Sequence, residues 1–220
     1  MTGDPLPDDN PLREGLARRK NPAHCSSVLF GASGDLTQRK LIPALYNLMI
    51  QNLLPPDFAV VGFANKPMSH DEFRTYMTAN LKEFSGSKIP QDRIGDFVKR
   101  LYYQTGNFTE VGGFEKLAVL LDEVGKTHGT LGNCLYYLSV PPAFFGKIAR
   151  MLGSVGLNQS GGGTVDLTAA AESSATDQAG WRRLVIEKPF GRDIDSSREL
   201  NKEIGRVFRE DQIFRIDHYM

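Results

Sequence analysis

The chain has 220 residues, enough to bury a sizeable core in one large domain or two small ones. Apolar residues make up 40% and charged residues 24%, which is globular composition and excludes a disordered or fibrous chain. Lysine plus arginine and aspartate plus glutamate balance at 26 each, so no overall field attracts nucleic acid or an anionic membrane, and any anion site has to be local.

Residues 1–24 are rich in proline and charge, lack the apolar stretch of a secretory signal, and read as a disordered leader. No stretch approaches the ~18 apolar residues of a membrane span. The four histidines (24, 70, 128 and 218) are scattered and suggest no metal. Cys25 and Cys134 each open an apolar run and are expected as buried free thiols. The reading is a soluble, cytoplasmic protein.

"CSSVLF" (25–30) is a β-rich burst that runs into "GASGDLTQRK", and "LIPALYNLMIQNLL" then carries apolar residues at helical spacing. "PPD" stops that helix, and "FAVVGFA" (58–64) is a second short apolar strand. Ser69 with Glu72 three residues on makes a capping box for a helix through about Phe84. Further helices are predicted over Gln91–Arg100 and Phe114–Lys126, with "LYYQTGNF" between them. "NCLYYLSVPP" is a third strong strand, halted by Pro141-Pro142 and followed by a helix to about Leu152. "RRLVIEKPFG" (182–191) is a fourth, and Ser196–Arg209 a helix of alternating charge. Apolar strands alternating with helices define α/β architecture: a doubly wound parallel sheet, Rossmann-like, covered on both faces. Asn158–Gly180, with three consecutive glycines, no aromatic residue and no base, reads as a flexible insertion before the fourth strand.

The first βα junction of such a sheet is where nucleotide phosphates sit. Here it reads Gly31-Ala32-Ser33-Gly34-Asp35-Leu36-Thr37. Gly31 ends the strand at a tight turn, and Gly34 leaves backbone bare for a pyrophosphate. The helix starting near Asp35 aims unpaired N–H groups and its positive dipole end at that anion. Ser33 and Thr37 hydroxyls are available as further donors, with Asp35 as a helix cap. The pattern is not G-x-G-x-x-G, since Leu36 stands at the third glycine, and tight strand-to-helix turns need glycines in any case. No Gly-Lys-Ser/Thr occurs, which excludes a Walker A loop. After the second strand come Asn65 and Lys66, with no carboxylate before Asp71, an arrangement that favours NADP over NAD.

An ordered set of segments then resembles the glucose-6-phosphate dehydrogenase family: "FGASGDLTQRKLIPALYNL", "VVGFANKPMSHDEFR", "YYLSVPP", "VIEKPFGRD" and "FREDQIFRIDHYM". Together they cover most of the chain outside the leader and the insertion, and "EKPFG" followed by "RIDHY" is the most specific pair. The resemblance implies oxidation of the 1-hydroxyl of β-D-glucose 6-phosphate to 6-phosphogluconolactone with hydride passed to NADP (NAD possible), the first step of the pentose phosphate pathway. It also implies a homo-oligomer for the full-length protein. By the same resemblance, Gly31, Ala32, Ser33, Gly34, Asp35 and Leu36 fall in the coenzyme loop, joined by Asn65 and Lys66. Tyr137, Pro141 and Pro142 flank the coenzyme, and Lys188 lies between coenzyme and substrate. His218 and Tyr219 bind the sugar phosphate, and Asp217 orients a general base.

Two departures qualify that picture. Family members usually carry an arginine where Asn65 stands, so Lys66 is left as the cation for a 2′-phosphate. The family motif also continues beyond the position of Met220, and its catalytic histidine lies in a following α+β domain. The expectation is therefore a coenzyme-binding domain over residues 25–216, with 217–220 opening a truncated substrate domain and the chain alone inactive. The alternatives are a stand-alone NAD(P)-binding module and another NAD(P)-linked enzyme on the same sheet, although a generic domain has no reason to carry "EKPFG" and "RIDHY".

Overall fold

The computed structural model describes residues 22–84, 90, 92–160, 180–190 and 193–217. Most of the expected leader, most of the expected insertion, and His218 and Tyr219 lie outside the described residues.

Six strands form one sheet: β1 (Cys25–Phe30), β2 (Phe58–Ala64), β3 (Leu101–Thr105), β4 (Cys134–Leu138), β5 (Arg182–Glu187) and β6 (Ile213–Ile216). Their order is β3-β2-β1-β4-β5-β6, and every neighbouring pair is parallel. The chain thus winds outward from β1 to β3, returns, and winds outward the other way from β4 to β6. The α/β, doubly wound reading holds, but four strong strands become six. All seven residues of β2 are buried, as a central strand requires. The two strands not assigned from the sequence are the outermost ones. β3 buries only Leu101 and Tyr103 and β6 only Ile213, so neither carries the continuous apolar run of a strand covered on both faces.

The helices are α1 (Ile42–Ile50), α2 (His70–Phe84), α3 (Ile94–Val98), α4 (Val111–His128), α5 (Phe145–Ser154) and α6 (Ile194–Gly205). Helical turns begin at Asp35 and widen to a π-helical segment, Thr37–Leu41, before α1. Pro43 has no N–H to continue the regular ladder, and the widening falls just before it. The capping box at α2 forms as expected: Ser69 N–H donates to Glu72 Oε2 at 2.7 Å and Glu72 N–H to Ser69 Oγ at 3.2 Å. Those bonds hold the Glu72 carboxyl below its ordinary range. Helix bounds differ from expectation in several places: α1 ends at Ile50, before "QNLL", and α4 runs Val111–His128 rather than Phe114–Lys126. α3 is a single short turn rather than Gln91–Arg100, and α6 starts and ends earlier than Ser196–Arg209. Asp193 caps α6 and Ser196 closes its box from the third helical position, a role easily mistaken for the start of a helix.

Each face of the sheet has its own core. One gathers Phe30, Phe63 and Tyr136 from the strands under Phe114 and Leu117 of α4, Ile148 and Leu152 of α5 and Ile204 of α6. The other packs Leu29, Val60 and Leu101 under Tyr46 of α1, Phe73 and Met77 of α2 and Phe97 of α3. Beyond β4 this second face opens: Phe214 on β6 is 44% exposed, and the Arg183 guanidinium lies 4.3 Å from the Trp181 ring and 5.6 Å from the Phe214 ring.

Cys25 and Cys134 are free thiols, half-buried and buried respectively. Burial pushes Cys25 from 9.0 up to about 11, against a smaller opposing effect of Arg183, and Cys134 up to about 12. Both stay protonated at neutral pH. A disulfide reagent at pH 8 is expected to label the native chain on the order of a hundredfold more slowly than the urea-unfolded chain; equal rates would contradict the burial. Phe63 is fully buried, with ring centroids 4.9 Å from Phe114 and 5.2 Å from Phe30. Phe63→Ala is expected to cost ~3–5 kcal/mol in urea unfolding.

Candidate functional site

In a doubly wound sheet a crevice forms where outgoing chains leave two adjacent strands toward opposite faces. Here those strands are β1 and β4, whose chains lead into α1 on one face and α5 on the other. The glycine turn sits on one lip. Gly31 and Ala32 donate their N–H groups to the Phe63 carbonyl at 2.9 and 3.3 Å, which ties the turn to the end of β2. Ser139 N–H donates to the Phe30 carbonyl at 3.0 Å and brings the other lip alongside. Gly31 has φ +85°, and a Cβ there would lie 2.2 Å from the Ser139 carbonyl oxygen. Gly62 on β2 meets a similar limit, because a Cβ would fall 2.7 Å from Ala32 Cβ. Glycine at these two places lets the turn settle onto the sheet and against β4.

Gly34 N–H closes the turn on the Gly31 carbonyl at 2.8 Å, and Gly34 and Asp35 are exposed. The first N–H groups of a helix have no intrahelical partner, so the entry at Asp35 presents donors and a positive dipole end. An exposed glycine backbone followed by bare N–H groups suits a pyrophosphate. Two neighbours are otherwise engaged. Thr37 is fully buried, its hydroxyl donating to Gly31 O at 3.3 Å and meeting Ser139 Oγ at 3.4 Å, so it braces the turn rather than offering a donor. Asp35 pairs with Arg39 at 2.5 Å, one helical turn on, instead of capping the helix. Ser33 offers its carbonyl to Gln38 Nε2 at 2.7 Å.

The other candidates lie along the same carboxyl-terminal edge. Asn65 and Lys66 are exposed just past β2. The Lys66 carbonyl accepts the Tyr103 hydroxyl at 2.7 Å, and its ammonium lies 5.2 Å from the Tyr76 ring without a carboxylate partner among the described residues. Asp71, the first acid downstream, pairs with Arg74 at 2.9 Å. Tyr137, near the end of β4, donates its hydroxyl to Glu187 Oε1, and burial together with that carboxylate raises the phenol well above its ordinary value. Exposed Pro141 and half-buried Pro142 lead through a short 3-10 turn into α5. Lys188 follows β5, with a cis peptide to Pro189; its N–H donates to the Ile216 carbonyl at 3.2 Å and its ammonium to Asp217 Oδ2. Lys188 and Asp217, separate in the sequence, are thus joined at the ends of β5 and β6. Ser139 and Glu187 were not singled out from the sequence. Their signal was position alone, directly after β4 and at the last residue of β5.

Enclosed volume points elsewhere. Two cavities, of about 570 and 430 Å3, open at the opposite, amino-terminal edge, around Asn133 and Arg182 and around Phe58 and Arg100. Topology and backbone chemistry, not enclosed volume, define the crevice between β1 and β4.

A parallel sheet in this order, with a glycine turn at its switch point, makes this a domain for a nicotinamide dinucleotide. The chain belongs to the glucose-6-phosphate dehydrogenase family: the family described as "Glucose-6-phosphate dehydrogenase, NAD binding domain" matches residues 28–220. It is 42% identical over 197 residues to glucose-6-phosphate 1-dehydrogenase of Aggregatibacter actinomycetemcomitans, covering 90% of this chain and 36% of the relative. It is 38% identical over 193 residues to that of Bacillus subtilis (strain 168), covering 88% and 35%. A solved glucose-6-phosphate dehydrogenase in complex with its substrate glucose-6-phosphate superposes with a TM-score of 0.71 at 28% identity, over 90% of this chain and 37% of that one. The chain therefore spans about a third of the length of the relatives it matches.

Gly31→Ala places a side chain against the Ser139 carbonyl at a positive φ. It is expected to lower unfolding free energy by at least ~1–3 kcal/mol and to reduce dinucleotide affinity, measured by urea unfolding and calorimetric titration. A variant with unchanged stability would contradict the close approach.

Proposed function

We propose that this chain is the coenzyme-binding part of a glucose-6-phosphate dehydrogenase that passes hydride from C1 of glucose 6-phosphate to NADP. The observation that carries the reading is the gathering of Gly31–Leu36, Asn65 and Lys66, Ser139–Pro142, Lys188 and Asp217 on one edge of a sheet whose family match runs to residue 220. The bound coenzyme supplies the hydride acceptor. The backbone from Gly31 to Leu36 would hold the pyrophosphate, and Tyr137, Pro141 and Pro142 would flank the coenzyme. Lys188 donates hydrogen bonds to the sugar end, as a lysine at a strand's carboxyl end in the crevice can. Hydride departs from C1 only as the 1-hydroxyl loses its proton, which calls for a base oriented by a carboxylate. Asp217 is that carboxylate, and His218 and Tyr219 take the sugar phosphate. The part of the relatives that this chain matches is the coenzyme side of the reaction, so coenzyme binding is the activity expected of it.

Lys66 reads the 2′-phosphate. Asn65 has no charge, and Lys66 is the exposed cation past β2 with no carboxylate to neutralise it among the described residues. An ammonium is a point charge without arginine's planar fork, so discrimination between NADP and NAD is modest. In calorimetric titrations of the purified chain, NADP is expected to bind. Lys66→Ala is expected to weaken NADP by about tenfold, roughly 1.4 kcal/mol, and to leave NAD unchanged, while Asn65→Arg tightens NADP alone. Equal losses for both coenzymes in Lys66→Ala would move the 2′-phosphate contact elsewhere. Absence of binding by either coenzyme would overturn the reading, and so would turnover of glucose 6-phosphate by this chain.

A further inference from the structure

The amino-terminal edge of the sheet carries a second concavity, remote from the crevice at the strands' carboxyl ends. Its volume is about 430 Å3, within the range of small-molecule sites. Four separate segments bound it: the end of α1, the loop from Asn52 to Pro56, the stretch from Arg93 to Arg100, and the end of α4 at His128. Its floor is apolar, with Met49, Leu54, Pro55 and Phe58, the last only 5% exposed.

Its charged lining is unequal. Arg93, Lys99 and Arg100 face a single carboxylate, Asp96, which both Arg93 and Lys99 approach only loosely, at 3.5 and 4.0 Å. Among the described lining residues three positive charges stand against one negative, with the Asp57 carboxylate near enough to His128 to act on it, in a chain whose totals balance at 26 and 26. Arg100 meets no carboxylate among the described residues. Its Nη1 donates to the Pro56 and Phe58 carbonyls at 2.7 and 3.1 Å, and its guanidinium lies 4.8 Å from the Phe58 ring. A guanidinium already fixed in this way loses little freedom when it meets an anion. His128, whose Nε2 lies 2.8 Å from the Tyr102 hydroxyl, is held below its usual value by burial and then by Arg100, so it adds no charge at neutral pH.

We propose that this cavity is a second ligand site, separate from the coenzyme crevice, for a small aromatic phosphate. The phosphate meets Arg93, Lys99 and Arg100, and the ring lies against the half-buried side chains of Leu54 and Met49. The surplus of positive charge among the described lining residues suits a phosphate, and the apolar surface of Leu54 and Met49 beside it favours an aromatic body over a bare oxyanion.

The test is amide NMR of the purified chain titrated with phenyl phosphate and, separately, inorganic phosphate. Phenyl phosphate is expected to give saturable shifts at Leu54, Phe58 and residues 94–100 while Gly31–Leu36 stay still. Inorganic phosphate is expected to bind the same residues at least about tenfold more weakly. The double variant Arg93→Ala/Lys99→Ala removes two exposed side chains, and its remaining spectrum verifies the fold. It is expected to lose at least about tenfold in phenyl phosphate affinity. Non-saturable shifts, shifts centred on the glycine turn, equal affinity for the two anions, or unchanged affinity in the double variant would each overturn the proposal. None of these outcomes depends on whether NADP binds at the other edge.

Discussion

The missing side chain of Gly31 governs how close the two halves of the sheet come. β1 and β4 are hydrogen-bonded neighbours, yet the chain leaves them for opposite faces, so their ends tend to splay. Holding them together requires the turn after β1 to pass within van der Waals range of the Ser139 carbonyl at a backbone angle that L side chains avoid. The bonds from Gly31 and Ala32 to Phe63, and from Ser139 to Phe30, then fix both lips to β2 and β1. Thr37 spends its hydroxyl on the same junction. A polar side chain at the glycine turn is thus committed to shape, which leaves backbone N–H groups as the donors there.

Charge follows the same logic of local commitment. A chain with no net charge builds each charged feature from a few residues placed by the fold. At the carboxyl edge, Lys188 is partnered by Asp217 and Tyr137 by Glu187, so these groups are held in position. A partly exposed ion pair such as Lys188–Asp217 contributes about 1 kcal/mol or less to stability, and its value lies in placement. Lys66, whose ammonium lies against Tyr76 with no carboxylate partner among the described residues, keeps its charge available.

The sequence made the central elements legible and the margins less so. β1, β2 and β4 appear as apolar runs because a core lies on each of their faces, and β5 because Leu184–Ile186 are buried in succession although the second face opens beside it. β3 and β6 are half-covered, and "LYYQT" and "IFRI" lack that signature. Ser69 and Glu72 announced the start of α2 because their capping contacts are local. The true start of α6 was hidden because Asp193 and Ser196 share the box, and the sequence alone favours Ser196 as its first residue. The site was legible as a set of motifs at strand ends, but the pairings were not. Lys188 with Asp217, Tyr137 with Glu187 and Thr37 with Ser139 each join residues far apart in the chain, and only the order of strands decides that they meet.

The outer strand β6 also bears on how the molecule behaves in a crowded solution. A rim strand exposes a row of backbone donors and acceptors that another chain's strand can extend, and β6 adds a half-exposed phenylalanine to that invitation. Two arginines guard it. Arg183 spreads its guanidinium across Trp181 and Phe214, and Arg215, on the opposite face of β6, is held by Glu210 and Asn201. A foreign strand that docked there would meet a fixed cation on each face of a strand only four residues long. This rim therefore opposes fibrous growth by the charge it carries on both faces.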